Sequence, residues 1–440
     1  MSALKARLGR VARSLPFRLV FAFAIVAFHL VAMTRVARER LDYKFNESPD
    51  QAPLLQGAHG EGRLVQWDRL IVSRWDAEHY MGLGMRGYRF CKSQSALRPG
   101  EFPDANPACQ LHFYPGYGLI GAAVASVLHV PIDYALFGVS MAACVALALM
   151  WTGKAMTDAL GIDNAYLSFV LLNVFTSGFI LVTIETEPCL MALSMGAFTC
   201  VARRWWLPAA LLAGAASAIR ITGVATGFSV CAVLLVTTLR DHPRPGLPWL
   251  KAGALMAISG WGALALLIFF GVRFGDPLAY AHSYEREYHM HASLSQVLFP
   301  DGRVLNQSIW AEPNDGIFVA AALLWFALGH RAGLRRFRLE GQVYWYTLYF
   351  ATVGVSLLGS VGNAFGGGAR YMIAALPLFF AMAGVMRHKP VLLVLWLFMS
   401  TAHYYNAGIC FYESQSRGDR FQRCGFARSF RTEDIKAGRP

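Results

Sequence analysis

Charge is what this sequence has least of. Asp, Glu, Lys and Arg make up 15% of its 440 residues, whereas a soluble globular domain carries about 25%. That is too little to coat a water-facing surface, and it excludes a charge-rich disordered chain or a coiled coil. Acidic residues are the scarcest, with Asp+Glu 27 against Lys+Arg 40 and a formal net charge of +13. The 8 cysteines are too few for a small disulfide scaffold, and no CxxC or His-flanked spacing marks a zinc site. No heptad pattern, low-complexity tract or internal repeat is visible. The missing repeat weighs against a transporter built from two related halves.

What is present is apolar. Hydrophobic residues make up 55%, in blocks of roughly 15–20 residues, the length a helix needs to cross a bilayer. The expectation is an all-α polytopic membrane protein, one integral domain over residues 1–407 with a basic tail at 408–440. The first apolar run, 19–34, follows Lys5, Arg7, Arg10, Arg13 and Arg18 and precedes Arg35, Arg38 and Arg40. It has no small-residue cleavage site, so it reads as an uncleaved first helix with a cytoplasmic N-terminus. Further runs lie at 133–151, 166–184, 190–201, 207–219, 223–239, 252–272, 317–328, 343–360, 372–386 and 391–403.

The run 113–130, with Pro115, Gly116, Gly118 and Gly121, decides parity. If it does not span, Lys154, Arg203, Arg204, Arg240, Lys251, Arg331, Arg338, Arg387 and Lys389 all face the cytoplasm; if it spans, all face outward. The positive-inside rule favours the first option, which makes 113–130 an interfacial or re-entrant helix and the count about eleven spans. The surplus basic charge is then loop charge, and no nucleic-acid partner is expected. Five segments fall on the extracytoplasmic side: a long first outer loop at 35–112, then 183–188, 220–223, a second outer loop at 273–316, and 362–371.

Cys144, Cys200 and Cys231 lie within runs and Cys189 at a run's edge, as small apolar packers. Cys91, Cys109, Cys410 and Cys424 fall on the oxidising side, where sharing one loop or one tail favours the pairs Cys91–Cys109 and Cys410–Cys424.

Ionisable residues at membrane depth are expensive and mark sites. The densest cluster is Arg74-Trp75-Asp76-Ala77-Glu78-His79-Tyr80. On a helix, Asp76, His79 and Tyr80 share a face, and a carboxylate beside an imidazole and a phenol can take a proton from a hydroxyl. The same piece reads equally as an interfacial helix anchored by Trp75 and Tyr80. Tyr114 belongs to an aromatic turn, His112-Phe113-Tyr114-Pro115. The turn Glu185-Thr186-Glu187-Pro188 could hold a metal or a sugar hydroxyl, but by itself reads as a solvated loop. Arg220 stands between two short runs, where it can bind a phosphate or cap helix ends. Asp276 sits in Gly275-Asp276-Pro277, ahead of His282, Glu285, Glu287 and His289, for which an acceptor-facing or solvated role is preferred over metal ligation. Gly366-Gly367-Gly368 allows close backbone approach just before Arg370 and Tyr371, and a guanidinium fork suits a phosphate. The Walker spacing and its Lys are absent. No cofactor is expected, and nothing in the sequence forces a metal, whose requirement stays open.

One carboxylate, two arginines, aromatics and an apolar body are what an enzyme needs to move a sugar off a lipid phosphate. The acceptor hydroxyl needs a base, the departing phosphate needs positive charge, and the lipid tail needs a groove between helices. The residues also carry a family resemblance. Arg74-Trp75-Asp76-x-x-His79-Tyr80 with Gly87-Tyr88, then Phe113-Tyr114-Pro115, resembles the first-loop signature of the GPI mannosyltransferase II (PIG-V type) family and its bacterial relatives. In the same order, Glu185-Thr186-Glu187-Pro188, Arg220-Ile221-Thr222-Gly223, Gly275-Asp276-Pro277-Leu278-Ala279-Tyr280 and Arg370-Tyr371 with Pro377-Leu378-Phe379 resemble its later motifs, over roughly residues 60–385.

The resemblance implies a GT-C-like fold, a polyprenyl-phosphate sugar as donor, inversion at the anomeric carbon, Asp76 as catalytic base and Arg370 as a donor-phosphate ligand. Mannose is the favoured hexose. The chain departs from the family pattern at Leu83-Gly84, in the long interval holding Cys91 and Cys109, and at Pro188, which leaves the acceptor open among glycan, glycolipid and protein. The Ala- and Arg-rich composition points to a bacterial inner membrane rather than to GPI anchors. Two other readings stand beside the enzyme. A transporter or flippase of lipid-linked glycans predicts charge inside the spans, which these runs lack. A scaffold without catalysis predicts that Asp76, Arg220 and Arg370 lie apart.

Overall fold

The structure, a computed structural model, describes residues 9–47, 76–104, 109–175, 177–288, 313–360 and 368–413. Among these the chain is helical, with no β-strand. Its first half comprises α1 (Leu15–Glu47), α2 (Ala77–Arg86), α3 (Gly116–Leu128), α4 (Ile132–Trp151), α5 (Lys154–Leu160), α6 (Ile162–Asn173), α7 (Glu187–Ala202) and α8 (Trp206–Ile219). The second half comprises α9 (Val224–Asp241), α10 (Leu247–Ser259), α11 (Trp261–Phe274), α12 (Ala279–Tyr288), α13 (Pro313–Leu334), α14 (Leu339–Ser360), α15 (Gly368–Met372), α16 (Pro377–Met386) and α17 (Pro390–Glu413).

Three stretches are long and apolar enough to cross a bilayer: Leu15–Val36 of α1, all of α4, and Ile221–Asp241, which includes α9. A fourth is added if α10 and α11, bent by 61° at their junction, count as one span. The remaining apolar helices, α3, α7, α8, α16 and the Pro390–Tyr405 part of α17, are shorter. Helix α3 has 13 residues, about 20 Å at the α-helical rise, against a hydrocarbon core of about 30 Å. Many apolar side chains face outward: Val272 is 81% exposed, and Val127, Leu250, Val391 and Phe398 are similarly bare. Such a surface suits lipid and would aggregate in water.

Helix α1 continues past its apolar stretch, which ends at Val36, to Glu47. No Gly or Pro interrupts 35–47, and its Arg, Glu and Leu residues propagate a helix well. Within the bundle, His29 of α1 is fully buried. Its two ring nitrogens pair with the Tyr404 hydroxyl at 2.7 Å and Asn173 Oδ1 at 2.8 Å, tying α1 to α17 and the end of α6.

Two close helix approaches fix the geometry of the bundle. A Cβ on Gly84 would lie 2.5 Å from the Gly118 carbonyl oxygen, and one on Gly118 2.6 Å from that of Tyr80. Helix α2 is thus pressed backbone to backbone on α3. The second contact is between α13 and α16: a Cβ on Gly333 would meet the Phe380 backbone at 2.6 Å, and Gly329, one turn earlier, abuts Ala381. This is the small-xxx-small pattern that lets apolar helices approach without a hydrophobic driving force between them. Around it the core fills with Trp151, Trp345, Phe198, Phe379 and Phe380.

Gly333→Val should push α13 from α16 and cost about 1–3 kcal/mol, read as a lower unfolding temperature in detergent. Gly138→Ala, where a new Cβ meets nothing within 4 Å, should not lower it.

Candidate functional site

The polar residues gather around one guanidinium. Arg370, in the short helix α15, forms an ion pair through Nη1 with Asp76 Oδ2 at 2.8 Å, and donates from Nη2 to Glu185 Oε2 at 2.6 Å and from Nε to Glu187 Oε1 at 2.6 Å. Arg220 reaches the same Glu187 oxygen from its Nη1 at 3.0 Å and the Thr186 hydroxyl at 2.9 Å. Its guanidinium lies 5.1 Å above the Tyr371 ring, a cation–π arrangement. The Tyr371 hydroxyl is 3.1 Å from that of Tyr284 in α12. Five segments far apart in sequence therefore contribute: Asp76, the Glu185–Glu187 turn, Arg220, Tyr284, and Arg370 with Tyr371.

Local structure delivers each group. Asp76 occupies the N-cap position of α2 but makes no side-chain capping bond, so its carboxylate is left for Arg370. Glu187 opens α7, with Pro188 next to it. Pro fits the first turn, and a carboxylate there meets the positive end of the helix dipole. Arg220 has an extended backbone, φ −159° and ψ 154°, between α8 and the 3-10 turn leading to α9. That break turns its side chain inward, and such irregular backbone is tolerated at membrane depth only where protein buries it.

The turn at Glu185 is not the solvated loop that its composition suggests. Glu185 and Glu187 are 0% and 2% exposed. With three carboxylates and two guanidiniums, one carboxyl must carry a proton for the charges to cancel. Burial pushes Glu185 well above the usual carboxylate range, against the pull of Arg370. Burial acts on Glu187 too, but Arg220 and Arg370 together pull harder and leave it at about 2. Glu185 is thus the carboxyl whose burial most favours the protonated form, and its Oε1 has no hydrogen-bond partner. Tyr80 is driven up first by burial and then by Asp76, so it stays a neutral phenol at the floor of the site.

Two aromatic walls flank the cluster. His79 stacks on Phe113 with centroids 4.2 Å apart, and Tyr80 meets Phe113 and Tyr117 edge-on at 5.5 and 5.4 Å. Tyr114 meets Tyr280 edge-on at 4.8 Å, and the Tyr88 hydroxyl donates to the Phe113 carbonyl at 2.6 Å. A disulfide joins Cys91 to Cys109 just before this turn, and Arg286 of α12 pairs with Asp104, which ties the second outer loop to the first.

Asp276 and His282 do something more local. Asp276 accepts from the Leu278 backbone N–H at 2.9 Å and pairs with His282 Nδ1 at 2.7 Å, a capping arrangement at the start of α12. Trp75 and the Cys410–Cys424 pairing lie outside the described residues, as do His289 and Gly366-Gly367. No group of three or more His, Cys, Asp or Glu among the described residues is placed to hold a metal.

No family model and no curated protein matches the chain. Geometry therefore carries the chemistry of the site. Of the residues that stand out in the sequence, Asp76, Glu187, Arg220, Arg370 and Tyr371 converge. Glu185 and Tyr284 join them without having been singled out as site residues. Glu185 has a usable signal, a carboxylate directly after the apolar run 166–184, whereas Tyr284 has none.

Glu185→Gln, a neutral isostere of the protonated acid, should leave the unfolding temperature in detergent near that of wild type at pH 7. Glu187→Gln breaks a buried pair and should cost about 3–5 kcal/mol. Because Glu187 is depressed when folded, its contribution is complete above the unfolded value of 4.5 and lost as pH falls through about 2. The gap between wild type and Glu187→Gln should narrow over that window.

Proposed function

We propose that the chain is a polytopic membrane glycosyltransferase. It transfers a hexose, with mannose favoured by the resemblance of its motifs, from a polyprenyl-phosphate donor to an acceptor hydroxyl on the extracytoplasmic face, with inversion. The observation that carries this reading is the meeting of Asp76, Arg220 and Arg370 from three distant segments in one aromatic-walled cluster. A scaffold would have no reason to gather them. The eleven-span topology, a bacterial inner membrane and an active site facing outward belong to the same proposal, as does a glycan, glycolipid or protein acceptor.

In this reading Asp76 takes the acceptor proton as the acceptor oxygen bonds to C1 of the sugar. The C1–O bond to phosphate breaks, and the polyprenyl phosphate leaves with the electron pair. Asp76 is the most open of the three carboxylates, its side chain 24% exposed, and Arg370 orients it from 2.8 Å. In the same reading the two arginines have different roles. Arg370 meets three carboxylates from Nε, Nη1 and Nη2. Arg220 uses only Nη1 on its described partners, and a guanidinium has five N–H donors. Arg220 is thus the better placed to meet the leaving phosphate, with Arg370 aligning the base.

With purified protein and polyprenyl-phosphate-mannose, Asp76→Asn should lower turnover by about a hundredfold or more, and Arg220→Gln should raise the KM for the donor. Turnover of Asp76→Asn at the wild-type rate would overturn the assignment of the base.

A further inference from the structure

Helices α6, α13 and α16 carry a second polar feature, built from other side chains than the carboxylate cluster. Helix α16 starts six residues after Tyr371 and ends at Met386, followed by Arg387 and His388. Helix α13 carries Arg331 in its last turn, followed by Arg335 and Arg336, and Asn164 lies in the first turn of α6. These six side chains line a cavity of about 550 Å³. The close approach of Gly329 and Gly333 to Ala381 and Phe380 is what brings the two basic helix ends together.

Charge at this end of the bundle is handled in two ways. Arg204, after α7, and Arg240, in α9, both meet Glu340, at 3.1 and 3.0 Å, and both lie within reach of Asp241. Those two arginines are neutralised by the chain itself. Among the described residues no carboxylate pairs with Arg331, Arg335, Arg336 or Arg387. Arg387 Nε donates to His388 Nε2 at 2.7 Å, a partner that supplies no negative charge. Four like charges around one cavity repel each other unless an anion joins them. Asn164 adds a selective feature. It is 4% exposed, its Nδ2 is fixed on the Leu160 carbonyl at 3.1 Å, and its Oδ1 has no hydrogen-bond partner. A buried acceptor without a partner is costly, and a ligand hydroxyl would satisfy it.

We propose that this cavity binds a phosphate group that also carries a hydroxyl, presented by the headgroup of an anionic phospholipid. The arginines take the phosphate oxygens in forked hydrogen bonds, and Asn164 Oδ1 accepts from the headgroup hydroxyl. The lipid source is assigned from position, because the cavity lies where apolar helices end, at the level where headgroups meet basic pockets between helices.

The test is native mass spectrometry of the full chain in detergent, titrated with phosphatidylglycerol, phosphatidylcholine or inorganic phosphate. Phosphatidylglycerol should bind about tenfold or more tightly than phosphatidylcholine. Arg331→Gln, Arg335→Gln and Arg387→Gln, all at exposed positions, should each weaken it by about fivefold. Arg204→Gln removes the same charge from the same end but leaves the cavity intact, and it should bind as wild type does. Equal weakening by Arg204→Gln would mean a diffuse surface charge and overturn the site. Inorganic phosphate binding as tightly as phosphatidylglycerol would overturn the lipid assignment.

Discussion

A guanidinium taken from water into an apolar bundle is stable only where several carboxylate oxygens meet it in good geometry. Arg370 is met by three, from the start of α2, the turn before α7 and the first residue of α7, and this grip organises the site. Meeting that demand requires chain breaks at the same depth. Asp76 makes no capping bond to its helix, Arg220 is extended between α8 and the turn into α9, and the turn around Glu185 runs through the interior. The short apolar helices are the counterpart of this arrangement, since α7, α8 and α16 all start or stop at the cluster. Close packing of small residues, Gly84 on Gly118 and Gly333 on Phe380, lets these segments come near enough to share one cation.

The two ends of the bundle use charge in opposite ways. At one end, two cations and three carboxyls cancel once Glu185 keeps its proton, which leaves a neutral and preorganised cluster. Such fixed, prepaired dipoles can stabilise charge that develops in a reaction without reorganising. At the other end, Arg204 and Arg240 are balanced by Glu340 and Asp241, while the four arginines around the neighbouring cavity are not. A site for chemistry benefits from the first arrangement. A site for capturing a diffusing anion benefits from the second, because uncompensated charge attracts its ligand.

Much of the cluster can be named from the sequence because charge is so rare. Asp76, Glu187, Arg220 and Arg370 stand out as ionisable residues at the edges of apolar runs. The sequence misleads where a residue type is ambiguous. Two carboxylates and a Pro in a four-residue turn look like a water-exposed loop, and nothing local says that two arginines from later in the chain will cover them. Asp276 and His282 pair with each other beside the start of α12. Tyr284 is one of many tyrosines until α12 places it on Tyr371. Gly84, a departure from the family pattern when read as a letter, is required once α3 is seen lying on it.

Composition and run length settle the solvent and the class of structure before any contact is known. Apolar runs with almost no charge can be stable only as helices in a lipid-like environment, because every backbone N–H and C=O must then be paired within its own segment. The same scarcity marks which few residues are too expensive to be there by accident. Pairing is a different matter. Which of those charges meet, and which carboxyl burial drives toward its protonated form, are properties of the folded chain alone. They depend on distances between segments far apart in sequence and on how completely water is excluded from them, and neither quantity is written in local composition or spacing.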